Sequence, residues 1–264
     1  MLRLALLERH MYRVVLVLVT GASSGIGAAI AIKFAEEGAK VALVGRNQDK
    51  LSTVAAKCGK PLVIVADVTK DADCKRIVNE TIAKFGQLDV LINNAGIGGS
   101  ASIKEEHAIQ VFDQIMATNL RSAVFITHLA AAHVIKTKGN IINISSIAGL
   151  RVLGDKTFSY NASKAAFDHF TRSVALEFAS DGVRVNSVNP GPVKTDILEN
   201  SGHATSEAHS EIIWEKMEQM TALKRVSEPE EVADLVLFLA SEKAKAITGA
   251  TYVTDNGYLV ALNI

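Results

Sequence analysis

Proline and cysteine are both scarce, at 4 and 2 of 264 residues. With so little proline there is no Pro-rich linker, and no charge run divides the chain, so one domain is expected. Cys58 and Cys74 are too few for a disulfide framework and lack metal-ligand spacing. They point to a reduced, cytoplasmic setting and to no metal site. An excess of charge of one sign is missing too, since 28 basic side chains balance 28 acidic ones. That balance argues against a nucleic-acid groove or an anionic membrane surface as the main partner. No window of about 18 apolar residues occurs, so no membrane span is expected. What is abundant is aliphatic: hydrophobic residues make up 48% of the chain, enough for a sizeable core and too many for a disordered chain. The 18 glycines suggest tight turns between regular elements.

Residues 1–13 read MLRLALLERHMYR. Leu4–Leu7 is too short for a signal-peptide core, and the stretch lacks the serines of a mitochondrial presequence. It is expected to be a short extension before a domain over 14–264, with mitochondrial targeting as the alternative. From there the chain alternates. Apolar, β-branched runs at Val14–Val19, Val41–Val44, Leu62–Ala66, Leu88–Asn93, Asn140–Ser145, Val183–Val188 and Thr251–Thr254 read as strands. Between them, helical spacing covers Ala28–Glu37, Asp49–Lys57, Asp71–Phe85, His107–Lys136, Phe158–Ala179 and Pro229–Leu239. Gly38 and Gly86 are placed to end the first and third of these helices. Strands separated by helices mean right-handed βαβ units: an α/β fold with a doubly wound parallel sheet in three layers, α/β/α.

Thr20-Gly21-Ala22-Ser23-Ser24-Gly25-Ile26-Gly27 lies between the first strand and the first helix. Glycines there permit a tight turn, close approach to a pyrophosphate and close helix–strand packing, while the helix start presents free N–H groups to phosphate. Alone, such a turn is weak evidence; its place after the first strand is what a dinucleotide site requires. Four further motifs follow in order: Asn93-Asn94-Ala95-Gly96, Asn119 in a long helix, Ser145-Ser146 with Tyr160-Asn161-Ala162-Ser163-Lys164, and Asn189-Pro190-Gly191. Together they resemble the short-chain dehydrogenase/reductase family over about Val14 to Gly257, nearly the whole chain.

That resemblance implies a Rossmann-like oxidoreductase, with Asn119, Ser146, Tyr160 and Lys164 as the catalytic set. It places cofactor contacts at Gly21, Ser23, Ser24, Gly25, Ile26, Gly27, Arg46, Asn47, Asp67, Val68, Asn94, Ala95, Gly96, Tyr160, Lys164, Pro190, Gly191, Val193 and Thr195. It also implies a homo-oligomer, a dimer or tetramer, built on the helices that carry Asn119 and Tyr160.

The residues carry their own argument. Tyr160 and Lys164 are four apart on a helix and share a face. A nearby ammonium is expected to draw the phenol, ordinarily near pKa 10, toward neutrality; a shift of ~3 units is worth ~4 kcal/mol. Tyr160 then exchanges a proton with a carbonyl or alcohol oxygen while Ser146 steadies that oxygen. A lone YxxxK is more often a helix-surface pair, and a lone strand-end serine a turn residue; their combination with the Gly-rich turn overturns both readings. Strand alternation should aim only one of Ser145 and Ser146 into the cleft, and family spacing selects Ser146. The separation from Ser146 to Tyr160 is one residue longer than usual, with the extra residue placed around Gly154-Asp155-Lys156.

Cofactor choice turns on the end of the second strand, Leu43-Val44-Gly45-Arg46-Asn47. Gly45 occupies the position where an acid would select NAD(H), and Arg46 offers a cation to the extra phosphate of NADP(H). NADP(H) is favoured, with NAD(H) the alternative. Residues 192–226 depart from the alternation and are expected to form a lid over a small-molecule substrate. Ile212, Ile213, Trp214, Met217 and Met220 give that segment an apolar face, which favours a hydrophobic carbonyl or alcohol, steroid-like or xenobiotic. Two further readings remain. One is a 3-oxoacyl carrier-protein reductase, opposed by Leu176, Glu177 and Asp181 where an acidic carrier would need cations. The other is a non-catalytic NADP-binding regulator, opposed by the intact Asn119–Ser146–Tyr160–Lys164 set.

Overall fold

The computed structural model describes residues 14–200 and 206–261, so the expected extension over 1–13 lies outside the described residues. Strands β1 (Leu16–Thr20), β2 (Lys40–Gly45), β3 (Leu62–Val65), β4 (Val90–Asn93), β5 (Asn140–Ile144), β6 (Arg184–Pro190) and β7 (Thr251–Thr254) form one sheet ordered β3-β2-β1-β4-β5-β6-β7. Every pairing is parallel. The chain order reverses between β1 and β4, which opens a crevice beyond their carboxyl ends, where ligands bind in such sheets.

Helices α1 (Gly25–Glu36), α2 (Gln48–Ala55) and α3 (Asp71–Phe85) connect the first half. In the second half come α4 (Ala108–Met116), α5 (Ser122–Thr137), α6 (Phe158–Phe178), α7 (Ile197–Asn200), α8 (Glu207–Met220), α9 (Pro229–Ala240) and α10 (Tyr258–Ala261). Side chains alternate across β1: Val17 and Val19 join Ile30, Phe34, Val236 and Leu237 on one side. Leu18 joins Ile77, Leu91, Ile126 and Phe178 on the other. Both faces are thus dry, which is why the strands read as unbroken apolar runs rather than alternating ones. Burial pushes the thiols of Cys58 and Cys74 up to about 11, and both are free. No helix among the described residues is long and apolar enough to cross a membrane.

Two helices differ from expectation. α1 begins at Gly25, not Ala28, because the last part of the Gly-rich turn is already the first helical turn and glycines carry no apolar signal. The single helix expected over His107–Lys136 is interrupted by a π-turn at Ala117–Arg121. Asn119 sits in that turn, 1% exposed.

Candidate active site

The Gly-rich turn is held by β4. Asn94 Nδ2 donates to the carbonyls of Thr20 and Gly21 at 2.9 and 3.1 Å, and the Asn94 and Ala95 N–H groups donate to Thr20 Oγ1. Asn94 thus shapes the turn through its side chain. A Cβ on Gly27 would lie 2.3 Å from both Asn94 Nδ2 and Gly21 O, so no larger residue allows α1 this close to β1. Gly21 and Gly25 have φ of +67° and +53°, the left-handed region where a side chain is strained. At the start of α1, the Ser24 side chain makes no capping bond and the first turn holds no acid. Beside this helix start lies a cavity of about 250 Å³, whose polar lining comes from Ser23, Ser24, Lys57, Lys194, Thr195, Asp196 and Glu230 among others. It is the uncapped helix start itself that fits a phosphate group.

At the carboxyl end of β5, Ser146 Oγ accepts from Ala148 N–H at 3.1 Å and stands close enough to the Tyr160 hydroxyl to favour its ionised form. Its neighbour Ser145 turns the other way and donates to the Lys164 carbonyl at 3.3 Å. Lys164 is 4% exposed; its Nζ lies 5.7 Å from the centre of the Tyr160 ring and donates to Ile144 O at 3.0 Å. That is its only hydrogen bond among the described residues, so two of its three protons are left for a ligand. Asn119 clamps the irregular segment that follows Gly96: its Oδ1 accepts from Ile97 N–H at 2.8 Å, and its Nδ2 donates to Ile97 O at 2.9 Å. The same Nδ2 donates to Ser163 Oγ at 3.2 Å, and Ser163 donates to Tyr160 O at 2.8 Å. A Cβ on Gly96 would lie 3.4 Å from Asn119 Oδ1 and 3.6 Å from Lys164 Nζ. The π-turn, Gly96 and α6 therefore meet at one point.

The electrostatics correct one expectation. Tyr160 is not drawn toward neutrality: burial raises its pKa above the ordinary value, and Ser146 only partly opposes this. The strain falls on Lys164, which burial pushes down to about 8 against the pull of Asp168. Removal from water disfavours the charged forms of both groups, and the spacing of a YxxxK motif carries no information about that burial.

At the other end of the crevice Arg46 is exposed and has no carboxylate partner within 4 Å among the described residues. Asn47 Oδ1 caps α2 by accepting from Lys50 N–H at 2.9 Å. Asp67 accepts from the N–H and hydroxyl of Thr69. Burial opposes its ionisation, yet those bonds and the charges of Arg46 and Lys70 hold it below its usual value. Val68 and Val193 are 8% and 5% exposed, so their side chains serve the core and leave only backbone for a ligand. Ile26 is half-buried against the same core. Pro190 ends β6 beside Thr254, with Gly191 next. The Thr195 side chain fills the space that a Cβ on Gly25 would need. Lys50 pairs with Asp196, a tie between α2 and the segment after β6 that no motif announced.

Within Gly154-Asp155-Lys156, where the extra residue is expected, Lys156 has a φ of +59°. Lys156 also binds the opposite rim, through its carbonyl to Ala101 N–H at 2.9 Å and its ammonium to Glu105 at 3.2 Å. In segment 192–226, Trp214 is buried with Leu198 and Val226, whereas Ile212 and Met220 are 51% and 40% exposed. Among the described residues, no group of His, Cys, Asp and Glu could hold a metal ion.

A parallel doubly wound sheet with a glycine-lined helix start, and a serine, tyrosine and buried lysine at the next strand ends, is the apparatus of a nicotinamide-dependent oxidoreductase. A family model described as enoyl-(acyl carrier protein) reductase matches residues 21–259. L-fucose dehydrogenase of Mus musculus is 36% identical over 241 residues, covering 91% of this chain and 87% of that protein. Meso-2,3-butanediol dehydrogenase of Serratia marcescens is 37% identical over 244 residues, covering 91% and 93%. A short-chain dehydrogenase/reductase of unknown function from Caenorhabditis elegans, solved with cofactor, superposes with a TM-score of 0.88 at 33% identity, covering 93% of this chain and 95% of that one. The chain belongs to the short-chain dehydrogenase/reductase family. It is an enzyme that acts on alcohol or carbonyl groups with a nicotinamide cofactor.

Proposed function

We propose that this enzyme uses NADP(H) to interconvert a carbonyl and a secondary alcohol on a small hydrophobic molecule, with Tyr160 as the general acid and base. The observation that carries this reading is the buried Lys164 ammonium, with two unclaimed protons, beside a Tyr160 that faces Ser146. The nicotinamide supplies or accepts the hydride. Tyr160, kept protonated by burial, gives its proton to the carbonyl oxygen in the reducing direction and recovers one from the alcohol in the other. Ser146 donates to that same oxygen and steadies its developing charge. Lys164 would hold the bound cofactor with its two unclaimed protons, and its charge would lower the energy of the phenolate. Asn119 fixes the backbone of Ile97 at the cleft wall.

Arg46, exposed and without a carboxylate partner, supports NADP(H), since an unpaired guanidinium suits a phosphate in fork geometry. Asn94 and Ala95 shape the crevice just after β4, while Ser23 packs against Gly45, the residue before Arg46, and Asn47 follows it. Exposed Leu150 and Val152, just beyond Ser146, and Met220 at the end of α8 support an apolar substrate under a cover formed by residues 192–226. Leu176 on α6 is 81% exposed, which supports association into a dimer or tetramer.

The test is purified protein with NADPH and NADH against ketones, aldehydes, diols, sugars and steroids. Turnover is expected with NADPH on apolar carbonyls. Tyr160→Phe should bind NADPH as before and lose turnover; retained turnover would sink the mechanism. Arg46→Asp should weaken NADPH by about ten- to a hundredfold, the worth of one or two charge-assisted bonds, and leave NADH nearly unchanged. Equal losses for the two cofactors would refute the selectivity.

A further inference from the structure

Asp168 lies one helical turn beyond Lys164 on α6 and is 2% exposed, a place that carboxylates seldom occupy unless paired. Its Oδ2 accepts from Asn189 Nδ2 at 2.7 Å. The same nitrogen donates to the Ser146 carbonyl at 2.8 Å, so a single amide links Asp168 to the residue that faces Tyr160. The hydroxyls of Ser145 and Ser187 are close enough to favour the charged carboxylate, although their protons point to Lys164 O and Thr251 Oγ1. Asp168 Oδ1 is buried with no partner, a deficit that rotation of either hydroxyl would fill. The turn after Ser146 rests directly on this group: a Cβ at Gly149 would lie 2.6 Å from Asp168 Oδ2 and 2.8 Å from the Lys164 carbonyl carbon.

We propose that Asp168 is a positioning residue of the active site: its buried carboxylate pins the carboxyl ends of β5 and β6 to α6 and supplies the countercharge under which Lys164 keeps its ammonium. The proposal rests on the function above, in which the charge of Lys164 acts on Tyr160. Among the described residues, Asp168 is the one charged group whose field reaches Lys164. The titratable groups facing the cluster are Tyr160 and Lys164, both from α6. β5, β6, the 147–149 turn and the 117–121 turn bring Ser145, Ser187, Asn189, Asn119 and backbone. His169 and Arg172, next on α6, are exposed. Burial raises the Asp168 pKa, and Ser145, Asn189, Ser187 and Lys164 pull it down.

The experiment reads Lys164 itself, by NMR of the full chain carrying nitrogen-labelled lysine side chains, with Lys164→Met identifying the signal. No cofactor or substrate is needed, so failure of the proposed function is a separate result. Asp168→Asn keeps the shape and removes the charge, and should lower the Lys164 titration midpoint by about one pH unit. Asp168→Glu should return it. With substrate in hand, kcat of Asp168→Asn should fall about tenfold with the KM for NADPH unchanged. Should Asp168→Asn not fold, Ser187→Ala removes one nearby hydroxyl and should move the midpoint the same way by less. An unmoved Lys164 midpoint in the folded variant, no return with glutamate, or a shifted midpoint with undiminished kcat would each overturn the proposal.

Discussion

Lys164 is 4% exposed and makes a single hydrogen bond among the described residues, so the charge of Asp168 offsets only part of what burial costs its ammonium. Burial pushes its pKa down to about 8 in the fold, against an ordinary 10.5 in water. Between those values the unfolded chain binds more protons than the native one, so stability rises with pH across that window. Below pH 8 the whole penalty is present, on the order of 3 kcal/mol. Lys164→Met keeps the aliphatic stem and removes the charge. It should raise the melting temperature by several degrees near pH 7, with an advantage that shrinks as pH climbs above 8, and should abolish turnover. Thermal unfolding across a pH series checks this, and a variant that melts lower at pH 7 would contradict it. The identity of the Tyr160–Lys164 pair was legible from a four-residue spacing. The direction of its titration was not, because burial comes from β5, Gly96 and Asn119, none of them local to α6.

At the scale of elements, the π-turn at Ala117–Arg121 shows what periodicity hides. A π-turn adds one residue to a helix without breaking its apolar rhythm for long, so α4 and α5 read as one helix. Such turns recur at functional positions. Here it brings the Asn119 amide onto both backbone groups of Ile97. Asn119→Ala would leave the partly buried N–H and C=O of Ile97 without this partner, a loss of at most about 1–3 kcal/mol. The expected result is a lower melting temperature together with a reduced kcat, measurable by calorimetry and steady-state rates; unchanged stability would mean that water replaces the amide. The Gly-rich turn was legible because its glycines answer to steric limits written into residue type, as at Gly27. The Lys50–Asp196 tie was not, since exposed charges 146 positions apart leave no pattern in the chain.

Across the whole molecule, the parallel sheet gathers the ends of β1, β2, β4, β5 and β6 along one edge, so motifs scattered from Thr20 to Thr195 become neighbours. The alternation of strands and helices was readable because both sheet faces are covered, which forces continuous apolar strands. Segment 192–226 was not readable in detail: its small cluster of Leu198, Trp214 and Val226 joins a single-turn helix, a 14-residue helix and the stretch after it, and obeys no single period. Zero net charge means that association depends on local surface, and Leu176 is the most exposed large apolar side chain described. Leu176→Glu should therefore dissociate the proposed homo-oligomer, read as a fall in mass by light scattering after gel filtration, while the isolated subunit stays folded. An unchanged mass would place the contact elsewhere.

Trp214 is the only tryptophan in the chain, and it is 5% exposed on α8, packed with Leu198 of α7 and Val226. The enzyme thus carries a single built-in fluorophore in the segment proposed to cover the substrate. Indole emission overlaps the absorption of a reduced nicotinamide but not that of an oxidised one. The emission of one residue can therefore follow the redox state of the bound cofactor and the opening of the cover in real time, without any label.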